Sequence, residues 1–239
     1  MNLTVDTTYR SELPEIMDDL DMKGEQLRDT LDKIANLNRR LGGNSLTISG
    51  VKRLVEKYPK HKTIKIVDVG CGSGDMLRDL ADFASEDGRK FSLVGIDANA
   101  DAIAYAEKIS GHYPDISYSV QNIFDERFAQ LECDIIVSTL TLHHFSDAEI
   151  ESILKTFRRQ AKIGIVINDL HRSALAYRLF QIVCCVFQLG PMPKNDGLIS
   201  ILRGFKKGEL REFSQKLNFN NYSIRWKWAF RYQWIIQTA

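Results

Sequence analysis

The run Asp68-x-Gly70-x-Gly72-x-Gly74 sets three glycines at alternate positions behind a carboxylate. Glycine lets a backbone turn sharply and approach a ligand with no Cβ in the way. The run follows Ile64-Lys65-Ile66-Val67-Asp68-Val69, which reads as a buried strand, and precedes an amphipathic helix expected over 75–84. A helix start offers free N–H groups and a positive dipole end. A tight strand-to-helix turn with no ligand would use the same glycines. A dinucleotide fingerprint requires G-x-G-x-x-G. Counted from Gly70 and Gly72, its third glycine falls on Asp75. A carboxylate there repels a pyrophosphate. The spacing therefore suits a ligand without phosphates that carries a cationic amino group.

Asp97 closes the next strand, residues 91–97, and lies 97 − 74 = 23 residues beyond Gly74. A carboxylate in that place can accept both hydroxyls of a ribose, a role shared with NAD enzymes, so Asp97 marks an adenosine-type ligand and no more. After a third strand, 116–121, Asn122 offers a side-chain carbonyl to an adenine amino group and Ile123 a surface to pack on the ring. An ordinary turn-forming asparagine is the competing reading of Asn122. His143 and His144 follow the fourth strand, 134–139, and His171 follows the fifth, 162–168, at the same edge of the sheet. A neutral imidazole suits removal of a proton from a phenol, whose pKa is about 10. Asp169 is placed to orient one. These three histidines are the catalytic candidates; packing within a loop is the alternative for each. Cys71 reads as a small apolar filler.

The elements that must position these residues alternate strand and helix, which implies a doubly wound parallel sheet with right-handed crossovers. Helices are expected over 101–110, 148–160 and 207–217. Residues 222–228 and 232–238 read as an antiparallel hairpin at the sheet edge, giving about seven strands in a Rossmann-like α/β fold. Residues 1–60 form a helical extension before a domain at 61–239. Leu27, Leu31, Ile34, Leu37 and Leu41 make one apolar stripe, Gly42-Gly43 ends that helix, and Ser49 is expected to cap a second. Arg39 or Arg40 could reach a ligand carboxylate or stay at the surface. The stretch 171–205 is long for a connection and should lie helical above the carboxyl ends of the strands, where such sheets bind ligands. Its Tyr177 and Phe180 are candidate walls of an apolar pocket, or simply complete the core.

Composition narrows the partners. Lys+Arg is 32 against Asp+Glu 31, a net charge of +1, so no bulk pull toward nucleic acid or an anionic membrane is expected. Arg203, Lys206, Lys207 and Arg211 could form a local basic patch but read better as a solvated helix face. The four cysteines, Cys71, Cys133, Cys184 and Cys185, include no CxxC pair, so no metal site is expected and a reduced cytoplasmic protein fits. Residues 1–10 are polar, without a leader's apolar core, and no run is long enough to span a bilayer.

Val67 to Gly74, Gly95-Ile96-Asp97, Asn122-Ile123 and the run from Asp134 to Phe145 resemble, in order and spacing, the successive motifs of class I S-adenosylmethionine-dependent methyltransferases. The nearest subgroup resembles the small-molecule enzymes related to quinone-biosynthesis methyltransferases. The likeness covers roughly residues 60–170 and, in topology only, the final hairpin. It implies S-adenosyl-L-methionine as cofactor: Gly70 and Gly72 along its methionine part, Asp68 helping to hold its amino group through the loop or a water, Asp97 at the ribose hydroxyls, Asn122 and Ile123 around adenine, and Leu140 offering a carbonyl near the amino group, with Cys71, Gly74 and Ala98 also in the cofactor-binding set. Asn122 stands where the family more often has aspartate; an acceptor is kept. No Asn/Asp-Pro-Pro-Tyr segment follows the fourth strand, against methylation of DNA bases, and no basic arm suits RNA. The implied reaction is methyl transfer to O or C of a hydrophobic, aromatic small molecule. A non-catalytic module that keeps the cofactor fold, or a nucleotide-linked oxidoreductase, are the other readings. Oligomeric state is not legible.

Overall fold

The computed structural model describes residues 5–238; the first part of the polar N-terminal run, 1–4, lies outside them. Two helices open the fold, α1 (Gly24–Arg40) and α2 (Gly43–Val55). There follow β1 (Thr63–Val69), α3 (Asp75–Asp87), β2 (Lys90–Asp97), α4 (Ala100–Ile109), β3 (Ile116–Val120), α5 (Glu126–Ala129), β4 (Cys133–Thr139), α6 (Asp147–Gln160) and β5 (Ala161–Leu170). The chain ends with α7 (Ala174–Val186), α8 (Pro191–Arg203), α9 (Lys207–Lys216), β6 (Tyr222–Lys227) and β7 (Arg231–Gln237).

The sheet has seven strands in the order β3-β2-β1-β4-β5-β7-β6. The first five run parallel, and β7 joins β5 antiparallel, pairing Asn168 with Gln233 and Leu170 with Arg231. Such a sheet is buried on both faces, which is why β1 and β4 read as near-continuous apolar runs. On one face α2, α3 and α4 cover Ile66, Leu93 and Ile135; on the other α6 and α9 cover Val67, Ile136 and Ile165. Each fully buried Leu or Ile here contributes roughly 1.5–3 kcal/mol relative to exposure.

The local signals explain most boundaries. Ser146 and Glu149 form a capping box at the start of α6, and the Asn99 side chain accepts from Ala102 N at the start of α4. Ser49 is not a cap, contrary to expectation. Gly42, at φ 74°, serves as N-cap of α2, so the helix begins at once and Ser49 lies inside it. Residues 5–15 are not helical either: they form an extended strap that ends in a single 3₁₀ turn, Ile16–Asp18. The strap is pinned to the stretch after β5. Arg172 donates to the carbonyls of Thr7 and Thr8, and the Asp196 carboxylate accepts from Ile16 N and Met17 N at 3.0 and 3.1 Å. Among the described residues no helix is long and apolar enough to cross a membrane.

Candidate functional site

A single cavity of about 710 Å³ opens at the carboxyl ends of β1, β2, β4 and β5, under the strap, α1, α7 and α8. It brings together Asp68, Gly70, Cys71, Gly72, Asp97, Ala98, Asn122, Ile123, Leu140, His143, His144 and Phe180 from the sequence-derived set. It does not include Gly74, His171 or Tyr177.

The loop after β1 owes its shape to glycine. Gly70 sits at φ 71°, and a Cβ there would meet two Thr141 side-chain atoms at 2.5 Å. The N–H groups of Gly70 and Cys71 both donate to Ile96 O, at 2.8 and 3.1 Å, which ties the loop to the end of β2. Gly74 has a packing reason instead: a Cβ there would lie 2.1 Å from the Tyr118 hydroxyl.

At the end of β2, Asp97 Oδ2 accepts from Gly72 N at 3.0 Å and Oδ1 from Asn99 N at 2.9 Å. The backbone N–H of Ala98 also acts on this carboxylate. Burial raises the Asp97 carboxyl, and those backbone N–H groups act against the rise. Asp68 is fully buried and lifted well above the usual carboxylate range, first by burial and then by repulsion from Asp75 and Asp97. Three carboxylates thus converge on one end of the cavity, and a cation placed there would relieve all of them. Burial also pushes the Cys71 thiol up, which keeps it protonated and unreactive. Asn122 Oδ1 accepts from Phe124 N at 3.0 Å, so the turn role is real; the side chain still lines the cavity.

The two adjacent histidines differ. His143 is buried, and its Nδ1 lies 2.7 Å from Oδ1 of Asp169 at the end of β5. Its Nε2 makes no hydrogen bond and stands 3.6 Å from Glu15 Oε1, which has no hydrogen-bond partner either. His144 Nδ1 pairs with Asp18 Oδ1 at 2.6 Å. Burial would raise Asp169, yet His143 holds it below the usual carboxylate range. Burial raises Glu15, with His144 and Ser200 opposing. Glu15, His143 and His144 each bring one donor atom within 4.8 Å of the others, a spacing open to a metal ion. The Arg203 guanidinium, 3.8 Å from Glu15 and 2.6 Å from Asp18, already supplies positive charge there.

His171 lies elsewhere. Its Nδ1 accepts from Trp226 Nε1 at 3.2 Å, and its ring packs on Phe230 and Tyr232. Burial, then Lys206 and Arg172, lower its pKa. Tyr177 misses the cavity for a helical reason. Ala176, Leu179, Phe180 and Val183 share the cavity face of α7, and Tyr177 is one step of about 100° off it.

Several site residues escaped sequence reasoning. Arg203 is buried, donating to the carbonyls of His143 and His144 and to Asp18, and is no part of a solvated face. Asp196, Ser200 and Arg203 recur at four- and three-residue steps, so a polar stripe on an apolar insertion was the available signal. Glu15 and Asp18 had none, because the strap has no periodicity. Arg39 pairs with Asp79 at 3.0 Å and Arg40 stands over the Phe187 ring; neither lines the cavity. The guanidinium that does so is Arg231, from the first position of β7.

Residues 66–164 match the family described as a methyltransferase domain. An uncharacterized methyltransferase of Synechocystis is 30% identical over 112 residues, covering 46% of this chain and 49% of that protein. A putative methyltransferase of Geobacillus is 24% identical over 136 residues, covering 56% and 53%. The chain spans about half the length of these curated relatives. Among solved structures, the plantazolicin methyltransferase BamL, in complex with a triazolic desmethyl-plantazolicin analog and S-adenosylhomocysteine, has a TM-score of 0.64 at 16% identity, covering 88% of this chain and 91% of that one. The CurJ carbon methyltransferase gives 0.61 at 14%, covering 81% and 54%. Magnesium protoporphyrin IX methyltransferase from Synechocystis with bound S-adenosylmethionine gives 0.55 at 15%, covering 92% and 88%.

Proposed function

We propose that this protein transfers a methyl group from S-adenosylmethionine to an oxygen or carbon of a hydrophobic, aromatic small molecule; the match of residues 66–164 to a methyltransferase domain supports the reading. The observation that carries the reading is one continuous cavity lined by Asp97 and Asn122, by Ala176, Leu179, Phe180 and Val183, and by His143.

The donor set fits the cofactor. Asp97 lines the cavity at the end of β2, where its carboxylate can accept from the ribose hydroxyls. Asn122 and Ile123 frame the base, and the backbone of Gly70–Gly72 runs beside the methionine chain. Asp68, desolvated and crowded by Asp75 and Asp97, gains from the ammonium and sulfonium charges. Asp75 sits at the start of α3, facing the cavity, and would repel a pyrophosphate. When bound, the cofactor supplies an electrophilic methyl on a positively charged sulfur. The protein's share is alignment and proton removal. Asp169 at Nδ1 fixes the His143 tautomer that leaves a lone pair on Nε2. A hydroxyl or acidic C–H of the acceptor gives its proton to that nitrogen. The strap and α8 line the same space.

Calorimetry with S-adenosylhomocysteine tests the cofactor, and binding in the micromolar range is expected; none at high micromolar ligand would end the reading. Transfer of labelled methyl from S-adenosylmethionine to a panel of phenols and enols tests the acceptor. Turnover confined to charged, hydrophilic acceptors would reject the apolar pocket.

A further inference from the structure

Arg231 is 5% exposed, and its Nε and Nη1 make no hydrogen bond. No carboxylate among the described residues forms an ion pair with it. A buried charge in that condition is costly unless something pairs with it. Burial brings the guanidinium down to about 10, with Asp169 and Asp75 opposing through space. Its surroundings are built to receive it. A Cβ on Gly43 would lie 3.0 Å from Arg231 Cζ and 1.9 Å from Asn38 Oδ1, so glycine alone lets the start of α2 come this close. That helix has no side-chain cap, and its positive end points to the same place. Asn38 donates through Nδ2 to Asn44 Oδ1 at 2.6 Å, while its own Oδ1 is buried without a partner. Asp68, Asp75, Asn38 and Arg231 all line the cavity.

One end of the cavity therefore offers an unpaired cationic fork beside unpaired acceptor oxygens. That is the complement of an α-amino acid zwitterion. We propose that Arg231 binds the α-carboxylate at the amino-acid end of S-adenosylmethionine, with Asn38 Oδ1 and Asp68 facing the α-ammonium. The proposal rests on the cofactor reading above. Guanidinium suits the role because its two parallel N–H donors match a carboxylate.

The test compares three ligands by calorimetry: S-adenosylhomocysteine, its decarboxylated analogue, and 5′-methylthioadenosine, which lacks the whole amino-acid end. The wild-type protein should bind S-adenosylhomocysteine at least about 10-fold more tightly than the decarboxylated analogue. Arg231→Gln should weaken S-adenosylhomocysteine about 10- to 100-fold and leave methylthioadenosine within about threefold. Arg231→Lys should fall between. Equal wild-type affinity for the first two ligands overturns the proposal, whether or not any variant folds. So does an Arg231→Gln protein that melts cooperatively and either binds S-adenosylhomocysteine as the wild type does or loses both ligands alike. Failure of the wild type to bind any of the three rejects the cofactor reading itself.

Discussion

Nδ1 of His143 and Oδ1 of Asp169 lie 2.7 Å apart, with both side chains buried and the far nitrogen of the imidazole left without a hydrogen bond. A carboxylate that fixes the tautomer and leaves the other nitrogen without a hydrogen bond suits a general base. His143→Ala should lower kcat toward a hydroxyl acceptor by about 10²- to 10⁴-fold while leaving affinity for S-adenosylhomocysteine nearly unchanged. Asp169→Asn should show a smaller loss and a shifted pH–rate profile. Full turnover by His143→Ala would assign the histidine to packing.

The ribose end makes a separate prediction. Each hydrogen bond to a charged group contributes about 1.5–3 kcal/mol, so Asp97→Ala should weaken S-adenosylhomocysteine by at least about 100-fold in calorimetry. The melting midpoint should fall as well, since Asp97 accepts from Gly72 N and Asn99 N. Asp97→Asn, which keeps one acceptor, separates the two effects.

Gly70→Ala tests the loop. The left-handed conformation costs a non-glycine residue roughly 1–2 kcal/mol. The new Cβ would also stand 2.5 Å from Thr141 Oγ1 and Cγ2. Chemical denaturation should show a loss of about 2–4 kcal/mol from the two together. Adding Thr141→Ala should recover part of the steric share; no recovery would mean the backbone angle alone is responsible.

The strap makes a pH prediction of two signs. Burial would raise Asp18, but hydrogen bonds from His144 and Arg203 hold it below its ordinary 3.8. Its stabilising share is therefore complete above about 3.8 and lost as pH falls below that. Asp18→Asn should flatten the acid limb of a melting-temperature curve. Glu15 is raised above 4.5 by burial, which His144 only partly opposes. Its share is complete below 4.5 and lost as pH rises through the raised value. Glu15→Gln should thus gain relative stability between acid and neutral pH. Parallel curves for wild type and both variants would show that neither carboxyl is coupled to folding.

Much of the fold was legible because its signals are local. Hydrophobic runs of strand length, the Asp68-to-Gly74 loop, and capping residues such as Ser146 with Glu149 depend on neighbours in sequence. They determined the alternating elements, the loop shape and the positions of Asp97 and Asn122. The final hairpin was legible for the same reason. Ser49 misled because a capping residue type says nothing about where a helix has already begun, and Gly42 started it earlier.

The polar end of the site was decided only by tertiary structure. Glu15, Asp18, Arg203 and Arg231 come from the strap, the inserted helix α8 and the antiparallel strand β7, far apart in the chain. Whether a guanidinium is solvated or buried depends on what packs over it, and no spacing encodes that. Arg39, Arg203 and Arg231 are the same residue type; one pairs at the surface with Asp79, one braces His143 and His144, and one is left unpaired inside the cavity. The sequence by itself pointed to a phosphate-free, adenosine-bearing ligand after β1. Long-range packing decided which side chains are left buried and unpaired there, because desolvation is a property of the assembled cavity and not of any segment that builds it.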